Sequence, residues 1–189
     1  MERVLPQIAP RDIADGAILE IGFGAGEHVR DLAVNNPQTV IVGAEPFANG
    51  VAALMSAITD DKTDEILPEY KNIRIFPDDV RLFLENNTAH FSKIWILHPD
   101  PWPKAKHEKR RLLNAEFLTM LMRHLGPDGE IIIGTDHWEY FDWIVAQSKI
   151  AGISAHTPDI DTIKTRYQEK NKAGTSMPRY LVLGGRDAV

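Results

Sequence analysis

Short apolar runs alternate with longer amphipathic segments along most of this chain, and that alternation limits the fold more than any other feature. Ala17 to Ile21, Thr39 to Ala44, Ile73 to Phe76, Lys93 to Leu97 and Glu130 to Gly134 are rich in Ile and Val and bounded by Gly, Pro or Asp, which predicts strands. Between them, Glu27 to Val34, Phe47 to Ile58, Asp79 to Glu85, Arg111 to Leu125 and Trp138 to Ala151 carry helical patterns. Strands that alternate strictly with helices pair in parallel, because each crossover needs a connection of helix length, and the resulting sheet is covered on both faces. Gly126-Pro-Asp-Gly129 predicts a turn into the fifth strand, Arg179 to Leu183 is a candidate closing strand, and 155 to 178 reads as a loop. No repeat, low-complexity tract or linker divides the chain, so residues 1–189 read as one doubly wound α/β domain.

The 189 residues, 43% of them hydrophobic, are enough to bury a sizeable core. With no cysteine, disulfides and thiolate metal sites are excluded, and the seven histidines show no metal-ligand spacing, so no metal is expected. Neither a signal peptide nor a membrane span is legible, and the expected location is the cytoplasm. A formal net charge of −6 argues against a wholesale nucleic-acid binder. The distribution argues otherwise, because residues 104–111 carry net +4 and residues 164–172 net +3, leaving −13 elsewhere.

In sheets of this kind ligands bind beyond the C-terminal strand ends, at the point where the strand order reverses. The first strand ends in Leu19-Glu-Ile-Gly-Phe-Gly-Ala-Gly-Glu27, whose Gly22, Gly24 and Gly26 allow a tight turn and close approach of a ligand. Glu45 ends the second strand 19 residues beyond Gly26, the spacing of an acid that accepts from both ribose hydroxyls. Asp78 and Asp79, Asp100, and Asp136 follow the third, fourth and fifth strands. A nucleoside-containing cofactor fits this set. Glu27 at the helix start would repel a pyrophosphate, and Glu20 adds a second negative charge, so a cofactor bearing an ammonium and a sulfonium, S-adenosylmethionine, fits better than a dinucleotide. Asp79 is then placed to accept from the adenine amino group.

The loop Pro99-Asp-Pro-Trp-Pro103 presents a carboxylate and an indole on a stiff backbone, because each proline disfavours the helical region for the residue before it; His98, Asp100 and Trp102 are expected to be extended. Trp102 either stacks on a splayed base or packs the loop. Lys104, Lys106, Lys109, Arg110 and Arg111 sit at the start of the predicted Arg111–Leu125 helix, where positive charge opposes the helix dipole, which favours phosphate contact over a solvated face. Trp138, Phe141 and Trp143 are expected in the core.

Leu19–Glu27, Pro99-Asp-Pro-Trp-Pro-Lys104 with the bases to Arg111, Thr135-Asp136 and Thr165-Arg-Tyr167 resemble, in order and spacing, the motifs of the bacterial tRNA (guanine-N(7))-methyltransferases. The resemblance runs from about Ile18 to Leu183, with Gln168 where that family commonly has Glu. It implies a Rossmann-like class I methyltransferase sheet, mostly parallel with an antiparallel last strand. It also implies methyl transfer from S-adenosylmethionine to nitrogen 7 of a guanosine in the variable loop of tRNA, at position 46. By resemblance Glu20, Glu45, Asp79 and Asp100 match cofactor-binding positions, with Asp100 closest to the chemistry. Lys104, Asp136, Thr165, Arg166, Tyr167 and Gln168 match substrate-binding positions. A methyltransferase for a small molecule or protein and a non-catalytic RNA-binding module are the alternatives. The sequence leaves monomer and homodimer open.

Overall fold

The computed structural model describes residues 13–158 and 178–184. The elements follow in the order β1 (Ile18–Ile21), α1 (Glu27–Asn35), β2 (Ile41–Ala44), α2 (Ala48–Ile58), β3 (Ile73–Phe76), α3 (Val80–Glu85), β4 (Phe91–Leu97), α4 (Ala115–Arg123), β5 (Leu125–Thr135), α5 (Trp138–Ile150), β6 (Ala155–His156) and β7 (Arg179–Gly184). Among the described residues these strands form one sheet in the order β3-β2-β1-β4-β5-β7-β6. The first five pair in parallel, whereas β7 runs antiparallel to β5 and the short β6 antiparallel to β7. The α/β class and the antiparallel closing strand therefore stand as expected. The strand Ala155–His156, inside the stretch read as a loop, is too short to leave a periodic signal.

Both faces of the sheet are dry because successive strand residues point to opposite sides. Leu19 and Ile21 of β1, Ile94 and Ile96 of β4 and Leu181 and Leu183 of β7 face one core, which α3, α4 and α5 close with Phe83, Phe117, Leu121 and Ile144. Ile18, Trp95 and Val182 face the other, closed by Val29 of α1 and by Leu54, Met55 and Ile58 of α2. Each fully buried Leu or Ile contributes about 1.5–3 kcal/mol relative to exposure.

Two expectations need correction. Gly126–Gly129 does not precede β5 but bulges within it: Phe91 pairs with Leu125 and Lys93 already with Glu130, so residues 126–129 loop out between the two pairings. A bulge uses the same turn-forming residues as a loop, which is why the two look alike in sequence. The fourth helix begins at Ala115, where the Asn114 side chain accepts from the Phe117 amide at 2.9 Å, and the preceding Ala105–Arg110 segment forms a 3₁₀ helix. The bases therefore do not occupy the N-terminus of α4, so the dipole of that helix does not bear on their role.

His124 ends α4 half-buried, its Nδ1 3.5 Å from the Ala89 carbonyl. Burial holds its pKa below 6.5, aided by the nearby His90 and opposed by the Ala89 contact. The unfolded chain then binds the proton more readily, so this contribution to stability is complete above about pH 6.5 and declines as the pH falls through that value toward the folded pKa. The urea midpoint is expected to drop between pH 7.5 and 5.5, and to drop less in His124→Gln.

Candidate functional site

The chain leaves β1 to build β2 and β3 on one side and returns to place β4 on the other, so the order reverses between β1 and β4. At that switch point lies a cavity of about 310 Å³, at the small end of the roughly 300–1,000 Å³ typical of small-molecule sites. Ile21 and Gly22 at the end of β1, Ala44 and Glu45 at the end of β2, Asp79 after β3, and Leu97, His98 and Asp100 at and just beyond the end of β4 line it. Three carboxylates from three strand ends thus share one space.

Glu45 is buried and its two oxygens are held separately: the Gly24 amide donates to Oε2 and the Phe47 amide to Oε1, each at 2.9 Å. The carboxylate is fixed by backbone from both sides of the crevice, and each oxygen keeps lone-pair capacity for a further donor. Asp79 caps α3, accepting from the Arg81 amide at 2.9 Å and from its Nε at 3.0 Å. Burial pushes its pKa up, but the Arg81 bonds and charge outweigh that and hold it below the usual carboxylate value, so Asp79 is ionised at neutral pH. Asp100 stands exposed at the wall.

Glu20 sits elsewhere. It is buried on the face covered by α1, with His28 Nδ1 2.9 Å from its Oε2, and it does not line the cavity; nor do Gly24 and Gly26. Gly26 has φ +75°, and a Cβ there would lie 2.6 Å from Leu54 Cδ1, so glycine is what lets α1 start against α2. Asp136 is exposed at the end of β5, its Oδ1 3.7 Å from Nδ1 of His98 across the neighbouring strand ends. Lys104 is exposed at the start of the 3₁₀ helix. Thr165, Arg166, Tyr167 and Gln168 lie outside the described residues.

The proline loop departs from expectation. His98 and Trp102 have φ +50° and +42°, in the left-handed region rather than extended. For non-glycine residues this costs on the order of 1–3 kcal/mol each and persists only where surroundings impose it. The His98 amide is held by the Gly134 carbonyl at 2.7 Å, and the far end of the loop is held by Arg111. Trp102 is half-buried at the cavity, with the Arg110 guanidinium carbon 5.0 Å from its ring centre and His107 edge-on at 5.7 Å, so in this structure it packs the loop.

Arg111 also departs from expectation: expected on the phosphate face, it is 5% exposed. Lys104, Lys106, Lys109 and Arg110 are exposed, and Arg110 also lines the cavity. Trp138, expected in the core, is 54% exposed under the Arg179 guanidinium at 3.2 Å, while Trp143 is half-buried and donates to the Leu113 carbonyl. Burial pushes the Tyr140 hydroxyl up to about 12, so it remains protonated. Gly50 and Phe47 belong to the site as well. A Cβ on Gly50 would meet the Gly24 carbonyl at 2.5 Å and Glu45 Cγ at 3.0 Å, so α2 packs directly on the glycine loop. Its signal was a glycine inside an otherwise good helix. Phe47, 70% exposed, stands at the rim.

This sheet order, with a cavity at the switch point, is the fold of the class I methyltransferases. A solved structure described as an antibiotic related methyltransferase superposes with a TM-score of 0.64 over 97% of both chains, at 15% identity. Residues 15–175 match a family model described as a putative methyltransferase. A tRNA (guanine-N(7)-)-methyltransferase of Caulobacter vibrioides (strain NA1000 / CB15N) is 35% identical, covering 96% of this chain and 85% of its own. One of Neorickettsia sennetsu (strain ATCC VR-367 / Miyayama) is 37% identical over 81% of this chain and 68% of its own. The chain belongs to the tRNA (guanine-N(7)-)-methyltransferase family.

Gly50→Ala tests the packing that holds Glu45. Helix propensity alone would stabilise the variant by about 1 kcal/mol. Overpacking against the Gly24 carbonyl is expected to reverse the sign and cost about 1–3 kcal/mol, read from urea unfolding. A gain in stability would mean that α2 does not press on the glycine loop.

Proposed function

We propose that this chain methylates nitrogen 7 of a guanosine in tRNA, at position 46 of the variable loop, using S-adenosylmethionine held in the cavity at the switch point. The observation that carries this reading is the cavity's double character: Glu45, Asp79 and Asp100 on the strand ends, and Arg110 of an exposed basic segment, stacked on Trp102, in the same lining. Acids suit a cationic donor, and bases suit the phosphates of its acceptor. Bound there, S-adenosylmethionine supplies a methyl group made electrophilic by its sulfonium.

The residues present fit that cofactor. Glu45, fixed by the amides of Gly24 and Phe47, presents its remaining lone pairs to the ribose hydroxyls. Asp79, ionised, accepts from the adenine amino group. The glycine loop follows β1 at the cavity edge, with Gly22 in its lining, and Glu20 precedes it with its Oε2 2.9 Å from His28 Nδ1.

Guanine nitrogen 7 carries an in-plane lone pair and no proton, so the chain needs no general base. Its task is alignment, worth about 7–11 kcal/mol in favourable intramolecular systems. Asp100 at the wall and Asp136 beside His98 hold the guanine edge and stabilise the positive charge that the base acquires. Lys104, Lys106, Lys109 and Arg110 meet tRNA phosphates. The reading places the enzyme in the cytoplasm with tRNA; among the described residues no helix is long and apolar enough to cross a membrane.

The test is incubation of the pure protein with unmodified tRNA and labelled cofactor, followed by mapping of the modified base. A 7-methylguanosine in the variable loop is expected; label on protein or a small molecule, or none, would overturn the reading. Asp100→Ala is expected to lower kcat about a hundredfold, the scale of losing one charge-stabilising group. Lys109→Ala is expected to leave kcat alone, raise KM for tRNA, and reduce the salt slope of tRNA binding by roughly 0.7–0.9.

A further inference from the structure

The basic run contains one residue that does not behave as a base. Arg111, last of the five, is 5% exposed, whereas Lys104, Lys106, Lys109 and Arg110 are exposed. Its Nε donates to the Pro101 carbonyl at 2.9 Å and its Nη2 reaches the Trp102 carbonyl at 3.5 Å. Its Nη1 lies 3.7 Å from the Glu108 carboxylate. The guanidinium carbon is 4.7 Å from the Trp143 ring centre and 5.6 Å from that of Tyr140, both on α5.

Those two carbonyls follow Asp100 directly, and one belongs to Trp102, whose backbone has φ +42°. A strained loop relaxes unless something holds it. Glu108 neutralises the charge, the rings of α5 fix the plane of the guanidinium, and its fork is left to hold the loop. We propose that Arg111 is a positioning residue for methyl transfer: it keeps the Asp100 loop in its strained form at the cavity wall, and it does not contact tRNA phosphate. This rests on the methyltransferase reading and adds to it a role that charge counting in the basic run would assign otherwise.

Arg111→Lys and Arg111→Met separate the alternatives. A phosphate contact survives Lys, which keeps the charge, whereas a planar fork aimed at two carbonyls does not. Met fills the space against the rings and so preserves packing without either function. Both variants are therefore expected to lose about a hundredfold in kcat, the scale of a 1 Å misplacement, with KM for tRNA within about twofold of the wild type. The salt slope of tRNA binding should stay unchanged, and calorimetry should show S-adenosylhomocysteine binding several-fold weaker, since the loop forms the cavity wall. Urea unfolding of each variant reports whether the fold is intact. Near-normal kcat in Lys, with tRNA affinity and salt slope reduced in Met, would overturn the proposal and assign Arg111 to phosphate. Failure of the wild type itself to methylate tRNA would instead overturn the parent reading, and the calorimetric comparison would still report on the loop.

Discussion

The buried carboxylate of Glu45 joins the parts of this site. Gly24, on the turn after β1, and Phe47, at the start of α2, each give it one amide hydrogen, so two strand ends and a helix start share one charged group. A carboxylate placed this deep is costly unless its oxygens are satisfied, and here the backbone satisfies both. The same bonds explain why Gly50 must be small: the helix that follows Glu45 lies against the Gly24 carbonyl. Packing and binding geometry are one arrangement, set by the close approach of α2 to the glycine loop.

A second arrangement governs the far wall. Asp100 stands on a loop whose flanking residues His98 and Trp102 are in the left-handed region. The loop is anchored to β5 through the Gly134 carbonyl and to α5 through Arg111. The three alternating prolines thus do not produce an extended ribbon. They limit the alternatives of a backbone that tertiary contacts push into an uncommon shape.

Much of this is legible in the sequence. The strands on either side of the switch point announced themselves by short apolar runs, and the acids at their ends by position, because both signals are local. Glu45, Asp79 and Asp100 could be placed together from strand order alone. What the sequence hid was non-local. Arg111 looks like its basic neighbours until Tyr140 and Trp143, some thirty residues on, bury it. Trp138 looks like a core residue of an amphipathic helix until the guanidinium of Arg179, from the last strand, covers it at the surface. Residues 126–129 carry turn signals that serve a bulge as well as a loop.

The central claim is that the acid-lined crevice between β1 and β4 holds the adenosine part of the methyl donor. A crystal structure with S-adenosylhomocysteine tests it most directly. The account predicts the ribose hydroxyls on the Glu45 carboxylate and the adenine beside Asp79. Density for the ligand at any other place on the sheet, with Glu45 still bonded only to Gly24 and Phe47, would contradict it.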